Sequence, residues 1–210
     1  MRPMNTTSRT TKAAHKTDGR TINANTLEKL RTTILGLFAE ALYQDVGIRT
    51  ICERAKVSTQ TVYKYFGNKE EILYACIKQD LDGLNASLIE AASHHCNRID
   101  QVRVVLETWC NFYFDNPSIA RIVFLNIPQA YWVGERQFVQ SALHDALNQQ
   151  VEAGQQAGDL WDQIPAELLN EMAIGAGHRL MIRWLTSDEI SAEEVRTSYI
   201  AGVLQLITPR

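Results

Sequence analysis

The sequence predicts an all-α protein of about nine helices, arranged as an N-terminal helix-turn-helix domain and a larger C-terminal helical domain. Apolar residues recur at the three- and four-residue spacing of helices along most of the chain from residue 27 onward. Capping residues such as Ser and Asn stand directly before several of these segments. No segment shows the pattern of a paired strand. Together these observations predict helices joined by short connections.

Charge divides the chain into two unlike parts. The 210 residues are 45% hydrophobic, which is enough to form a globular core. Residues 1–80 hold 13 Lys/Arg and 8 Asp/Glu, a net charge of +5, whereas residues 81–210 hold 8 and 16, a net charge of −8. A basic first part and an acidic remainder indicate that only the first part meets a polyanion.

Several classes of protein are excluded by motifs that the sequence lacks. No apolar run approaches the roughly 20 residues that span a bilayer, and no signal peptide begins the chain, so we expect a cytoplasmic protein without a membrane partner. The four cysteines show no CxxC spacing, which favours reduced, buried thiols. In His94-His95-Cys96 the neighbouring side chains point apart on a helix, so we expect no metal site. Catalytic and nucleotide-binding motifs are lacking, so we expect neither an enzyme nor a cofactor.

Residues 1–24 form a polar arm with almost no apolar side chains, and we expect this arm to be disordered. Its charge is positive, because five basic residues outweigh Asp18. Such an arm either contacts DNA or is a soluble tail, and the sequence leaves both alternatives open.

Four helices are predicted in the N-terminal domain. The pairs Asn25 with Glu28 and Asn68 with Glu71 fit capping boxes at the start of the first and fourth helices. Ser58 is a suitable N-cap for the third helix. The predicted helices cover residues 26–43, 48–55, 59–66 and 69–88.

The remainder of the chain also predicts helices. Pro117 suits the first position of a helix, and Ser191 with Glu194 forms another capping box. Two glycines predict a loop over residues 154–164. The predicted helices cover residues 102–114, a segment that starts at 117, residues 132–153, residues 165–184 and a last segment from 192 to 206 or 207.

Two short helices joined by a sharp turn are predicted in the middle of the N-terminal domain. Burial of Val62 and Phe66 on one side of the second helix leaves Gln60, Tyr63 and Lys64 together on its other face. Donors, a cation and a phenol on one helix face suit the groove of double-stranded DNA and its phosphates. The pattern therefore predicts a helix-turn-helix, whose second helix enters the major groove.

Three further residues are well placed for phosphate oxygens. Ser58 and Thr61 lie at the start of the second helix of the pair. Lys69 stands at the start of the next helix, whose free backbone amides also favour an anion. These residues extend the predicted DNA contact beyond the second short helix.

This segment resembles the tetracycline-repressor (TetR) family of one-component bacterial transcription regulators. The resemblance covers about 50 residues and is carried by Leu37-Phe38, by ICERAKVS at 51–58 and by TQTVYKYFGNKEEI at 59–72. It implies contacts with phosphates or bases from Arg49, Thr59, Gln60, Thr61, Tyr63, Lys64, Tyr65 and Lys69.

The chain departs from the family pattern at three places. Leu42 stands where a Gly usually ends the first helix, which predicts a longer first helix. Val46-Gly47 replaces a Thr pair whose hydroxyls often hold a phosphate. Lys56 replaces the Gly of the turn. A left-handed conformation there would cost lysine roughly 1 kcal/mol, while the lysine side chain adds a cation near DNA.

The resemblance implies a DNA-binding domain at residues 25–80 and an effector-binding and dimerisation domain at residues 81–210. It also implies that the last two helices pair with their mates in a homodimer, which suits a palindromic operator. Aromatic residues of the second domain are candidates for an apolar ligand site, although they also fill ordinary cores. The candidate ligand-binding residues are Trp109, Phe112, Tyr113, Phe124, Trp132, Phe138, Met172 and His178.

The combined interpretation is a dimeric repressor released from DNA by a small, largely apolar or aromatic effector. Effector binding is expected to move the fourth helix, which joins the two domains, and so to change the separation of the DNA-reading helices. The alternative is a DNA-bound interaction factor of the same fold, whose effector is another protein.

Overall fold

The computed structural model describes residues 22–93, 97–134 and 141–209, apart from the side chains of residues 133, 134 and 141–143. These residues form ten α-helices and no strand, which confirms the all-α prediction. Most of the predicted arm and Phe138 lie outside the described residues. The helices are α1 Ala24–Phe38, α2 Ile48–Ala55, α3 Thr59–Tyr65, α4 Lys69–Ser93, α5 Arg98–Asp115, α6 Pro117–Arg121, α7 Gln129–Gly134, α8 Ser141–Ala157, α9 Ala166–Thr186 and α10 Ala192–Ile207.

Helix α1 differs from the prediction at both ends. It is capped by Asn23, whose side chain accepts a hydrogen bond from the backbone N–H of Asn25, so the predicted capping box at Asn25 was wrong. It ends at Phe38 instead of near Tyr43. A 3₁₀ turn at Tyr43–Asp45 follows, because the Asp45 carboxylate accepts a hydrogen bond of 3.2 Å from the backbone N–H of Leu42. This side chain gives the backbone a partner outside the helix.

The N-terminal domain is built around one apolar cluster. Leu30, Ile34 and Phe38 of α1 are fully buried, as are Ile51 of α2 and Val62 of α3. Helix α1 packs against α2 and α4, and α2 packs against α3. The burial of all these side chains fixes the two short helices as one rigid unit.

Helix α4 runs from the N-terminal domain into the second domain, where it packs along α5. Helix α10 lies against both α5 and α9, and α8 lies against α9. Gly177 brings α9 close to α10, because a Cβ at this position would lie 2.6 Å from the Tyr199 ring. The close approach at Gly177 is therefore between two helices of the same chain.

In the second domain, the observed helices differ from the predicted ones at several places. Helix α6 runs directly into a π-helix at Ile122–Asn126, which the sequence did not predict. Residues 135–140 of the helix predicted over 132–153 lie outside the described residues, with α7 before them and α8 after them, and α8 continues to Ala157 into the predicted loop. The capping box of Ser191 with Glu194 is confirmed at the start of α10. Within the described ranges, no helix combines the length and apolar character needed to cross a membrane.

Candidate nucleic-acid interface and ligand site

Helix α3 presents one polar face to solvent and one apolar face to the core. Val62 is fully buried and Phe66, which follows the helix, is 7% exposed. Gln60, Tyr63 and Lys64 are all exposed, and Tyr63 has 55% of its surface accessible. The core therefore holds the helix while its outer face stays available to a groove of DNA.

The start of α3 is organised by side-chain hydrogen bonds. The Ser58 hydroxyl accepts a hydrogen bond of 3.0 Å from the backbone N–H of Thr61, and the two hydroxyls lie 2.7 Å apart. Ser58 therefore acts as the predicted N-cap. Arg49 and Thr59 are also exposed, and a phosphate contact by either residue stays a prediction.

Tyr65 and Lys69 lie deeper than the other predicted contacts. Tyr65 is half-buried, and its ring centroid lies 5.6 Å from the Nζ of Lys64. The ammonium of Lys69 donates a 2.8 Å hydrogen bond to the Val46 carbonyl oxygen and a second to that of Tyr43. Burial lowers the pKa of Lys69. A phosphate contact by Lys69 stays a prediction, but its observed partners hold the turn before α2.

Tyr43 and Glu70 complete this turn. The Tyr43 hydroxyl donates a hydrogen bond to the carboxylate of Glu70, which is 8% exposed. Burial, with a smaller effect of Glu70, raises the pKa of Tyr43, and Tyr131 of α7 contributes in the same direction. Helix α7 of the second domain thus lies close to the turn that precedes the helix-turn-helix.

Four of the predicted ligand-binding residues form a ring cluster inside the second domain. Trp109 meets Tyr113 edge-on at 5.1 Å between centroids and Phe124 at 5.8 Å. Tyr113 and Phe124 are 4.8 Å apart, and Phe112 contacts Tyr113 at 5.0 Å. Edge-to-face contacts at these distances are typical of a packed aromatic core. Tyr113 and Phe124 are buried, and the half-buried rings of Trp109 and Phe112 pack against them.

His178 joins this cluster to α7. Its ring lies 4.9 Å from that of Phe124, and its Nδ1 lies 2.9 Å from the side-chain nitrogen of Gln129. Burial lowers the pKa of His178. Trp132, near the end of α7, meets the Tyr74 ring of α4 edge-on at 6.0 Å. Helix α7 therefore lies between the aromatic cluster and α4.

The remaining predicted ligand residue, Met172, lies apart from the cluster. It is 48% exposed on α9, near Leu168, which is 54% exposed. This location suits a surface contact better than an interior ligand site. A solvent-open groove of about 510 Å³ lies between α5 and α10. Its lining includes Arg103, Glu107 and Arg196, but none of the clustered rings.

Sequence reasoning missed two residues of the domain junction. The Arg121 guanidinium donates to three backbone carbonyl oxygens. They belong to Phe38 at the end of α1, to Glu40 just after α1 and to Leu185 in α9. Asn126 is 1% exposed, and its side-chain oxygen has no hydrogen-bond partner among the described residues. In the sequence, the signal for Asn126 is its place within an apolar run. A polar side chain that is buried there needs a hydrogen-bond partner or another role.

A family model of known proteins matches the N-terminal part of the chain. The model described as "Bacterial regulatory proteins, tetR family" matches residues 32–76, which run from α1 through the helix-turn-helix into α4. The match confirms the resemblance to the TetR family over this DNA-binding segment. Together with the exposed face of α3, it indicates a helix-turn-helix of the kind that DNA-binding transcription regulators carry.

Two curated relatives are regulators. Over 66 residues, the chain is 38% identical to the HTH-type transcriptional regulator HbdR of Aromatoleum sp. (strain CIB), a match that covers 30% of this chain and 29% of HbdR. It is 22% identical over 156 residues to the fatty acid metabolism regulator protein of Bacillus subtilis (strain 168), covering 73% of this chain and 80% of the relative. The matches thus span less than a third of HbdR but most of the Bacillus protein.

Solved structures share the fold over nearly the whole described chain. The fatty acid degradation regulator FadR of Bacillus halodurans has a TM-score of 0.70 at 14% identity and covers 88% of this chain and 97% of its own. FadR of Bacillus subtilis, in complex with stearoyl-CoA, has a TM-score of 0.68 at 17% identity and covers 84% and 97%. At these identities the comparison establishes the fold of both domains.

Proposed function

We propose that this protein is a dimeric repressor of the TetR family, which binds a palindromic operator through α3 and leaves it when an apolar effector enters the second domain. The observation that carries the proposal is the exposed face of α3. Gln60, Tyr63 and Lys64 lie on that face, while Val62 behind them is fully buried. Side chains on a fixed helix can read base edges and contact phosphates at the same time.

The experiment that tests DNA binding is selection of fragments from genomic DNA, followed by titration of the recovered duplex. We expect Tyr63→Ala to weaken binding by at least about 1 kcal/mol, because it removes a contact with the duplex. A matched control is Ile89→Ala, since Ile89 is 59% exposed on α4 but lies outside the helix-turn-helix. Recovery of no fragment, or equal affinity of both variants, would contradict the proposal.

The proposed dimer joins α9 and α10 to the same helices of a second copy. Helix α9 exposes Leu168 and Met172, followed by Gly175 and Ala176, while α10 exposes Ala201 and Gly202. A Cβ at Gly175 or Gly202 would meet no heavy atom within 4 Å, so both glycines face open space. Small residues beside exposed apolar ones suit a close helix contact, and a two-fold pair would place its reading helices about 34–36 Å apart.

The dimer is tested by sedimentation of Met172→Glu, which should give monomers because the variant buries an unpaired charge in the seam. Ile89→Glu is the control, because Ile89 is also exposed but lies outside the last two helices. A dimer that persists with Met172→Glu would contradict the seam.

For the effector, we propose a ligand with a long apolar chain or an aromatic ring. The support is the ring cluster of Trp109, Tyr113 and Phe124 and the solved Bacillus subtilis relative in complex with stearoyl-CoA. Helix α7 provides a route to the DNA-binding domain, since it contacts His178 on one side and Tyr74 on the other. A ligand that repacks the rings would therefore shift α7 and α4.

The probe for this step is stearoyl-CoA, with stearate and coenzyme A as separate controls. We expect stearoyl-CoA or stearate to lower operator affinity, and operator DNA to lower the affinity for the ligand by the same factor. The alternative, a protein effector, is favoured by the edge-to-face packing of the rings against one another. It would gain support if no apolar ligand changed operator affinity.

A further inference from the structure

The turn between α2 and α3 contains an unusual backbone conformation. Lys56 has φ 56° and ψ 43°, in the left-handed helical region. Among the described residues, it is the only one other than glycine with a positive φ. Its backbone N–H bonds the carbonyl oxygens of Cys52 and Glu53, which closes the end of α2. The turn therefore needs this conformation whichever residue occupies it.

A lysine is a poor choice for the turn on conformational grounds alone. In the left-handed region the Cβ of an L-residue crowds the following carbonyl oxygen, whereas glycine has no Cβ. Strained residues are retained where the surrounding structure holds them, and they are frequent at functional sites. The local backbone does not explain why the chain has Lys56 where glycine would fit better.

The side chain of Lys56 is free to act outside the protein. It is exposed, and none of the ion pairs or side-chain hydrogen bonds among the described residues uses its ammonium. Two residues later Ser58 caps α3. Residues 49–64 hold four Lys/Arg and one carboxylate, a net charge of +3. Lys56 therefore lies in a basic segment, shortly before α3.

We propose that Lys56 is a DNA-backbone contact, with its ammonium donating to a phosphate of the operator and so compensating for the strain of its conformation. The inference rests on the proposed DNA binding by α3 and adds a residue to that interface. A phosphate contact of this kind raises affinity for any sequence without contributing to the choice of bases. It also releases a counterion, so its contribution falls as salt rises.

Three variants separate the strain from the charge. Lys56→Gly removes both, Lys56→Asn removes the charge and tolerates the left-handed region, and Lys56→Arg keeps the charge. Lys78→Gln is the matched control, because Lys78 is an exposed lysine of α4 paired with Asp82. The measurements are thermal unfolding and the affinity for an operator duplex recovered from genomic DNA, taken over a range of salt concentrations.

Lys56→Gly should change stability and DNA binding in opposite directions. We expect its Tm to rise by about 2–4 °C because the strain is relieved. The slope of log affinity against log salt should become shallower by about 0.9 for each bound copy of the chain. Lys56→Asn should show the same change in slope, while Lys56→Arg and Lys78→Gln should keep the slope of the unmodified protein.

Two results would contradict the phosphate contact by Lys56 while leaving the proposed DNA binding intact. If the unmodified protein binds the duplex and Lys56→Gly binds with the same slope, Lys56 makes no phosphate contact. If Lys56→Arg loses as much as Lys56→Gly, the charge is not what matters. A protein that binds no duplex at all would instead reject the proposed function and, with it, this contact.

Discussion

The guanidinium of Arg121 donates from Nε to the backbone carbonyl oxygen of Phe38 at 3.3 Å. Phe38 ends α1, the helix that packs against α2 of the helix-turn-helix, whereas Arg121 ends α6. The same guanidinium reaches the carbonyl oxygens of Glu40 at 3.4 Å and Leu185 at 3.3 Å. Carbonyl groups at helix C-termini lack intrahelical partners and carry partial negative charge, so one cation serves the ends of α1 and α9.

Arg121→Met should therefore destabilise the protein. It removes donors from three backbone carbonyls, and we expect the free energy of unfolding to fall by about 1–3 kcal/mol in urea. The control is Arg183→Met, since Arg183 makes a long, exposed ion pair of 3.9 Å with Glu189. Removal of that pair should change stability by at most about 0.5 kcal/mol. Equal effects of the two variants would contradict a bridging role for Arg121.

Lys69→Met should also reduce stability. The Lys69 ammonium lies 3.5 Å from the centroid of the Tyr43 ring and donates to the carbonyl oxygens of Tyr43 and Val46. Since these contacts fix the turn before α2, we expect a loss of about 1–3 kcal/mol in the free energy of unfolding. The measurement is chemical denaturation, with Lys78→Met as the exposed control.

If Lys69 mainly contacts a phosphate of DNA, Lys69→Met should reduce DNA binding and leave stability unchanged. In that case the variant would unfold at the same urea concentration as the unmodified protein but bind operator DNA more weakly. The two readouts together distinguish a lysine that holds the turn from one that contacts a phosphate.

Local sequence signals predicted the parts of the fold that depend on neighbouring residues. Ser58 and Ser191 were predicted as helix caps, and their hydrogen bonds reach only three residues along the chain. The apolar spacing of Leu30, Ile34 and Phe38 likewise predicted the buried face of α1. Such signals need no knowledge of the tertiary structure.

These local signals could not predict contacts between residues that are far apart in the sequence. Helix α1 stops at Phe38, and its terminal carbonyl oxygen bonds to Arg121, a residue 83 positions away. Lys69 has the position of a phosphate contact, yet it donates to Val46, 23 positions earlier. Among the predicted ligand residues, Trp109 and Phe124 meet only because α5 and the π-helix pack together.

The glycines of α9 should respond in opposite ways to substitution by alanine. Gly177→Ala places a Cβ 2.6 Å from Cζ and Oη of Tyr199, whose hydroxyl donates to the Ala173 carbonyl oxygen at 3.0 Å. Because the ring must move, we expect a loss of about 1–3 kcal/mol in the free energy of unfolding. Gly175→Ala meets open space and should gain up to about 1 kcal/mol from helix propensity.

Thermal unfolding of the two alanine variants, measured at several protein concentrations, checks this prediction. Stabilisation by Gly175→Ala that disappears as the concentration rises would indicate a crowded seam between copies. Equal destabilisation by both variants at low concentration would contradict the different environments of Gly175 and Gly177.

His178 should make stability depend on pH in the mildly acidic range. Burial lowers its pKa, so the folded protein holds the imidazole neutral at a pH where the unfolded chain already binds a proton. Stability rises with pH wherever the unfolded state binds more protons. The contribution of His178 is therefore complete above the unfolded pKa of about 6.5 and is lost as pH falls from there through the lower folded value.

Urea unfolding at a series of pH values from 7.5 down to about 5 measures this dependence. His178→Gln should flatten the decline in stability, because glutamine can occupy the site between Phe124 and Gln129 without taking up a proton. Arg183→Gln, which removes an exposed cation of α9, is the control and should leave the decline in place. If both variants kept the slope of the unmodified protein, another group would have to account for the acid sensitivity.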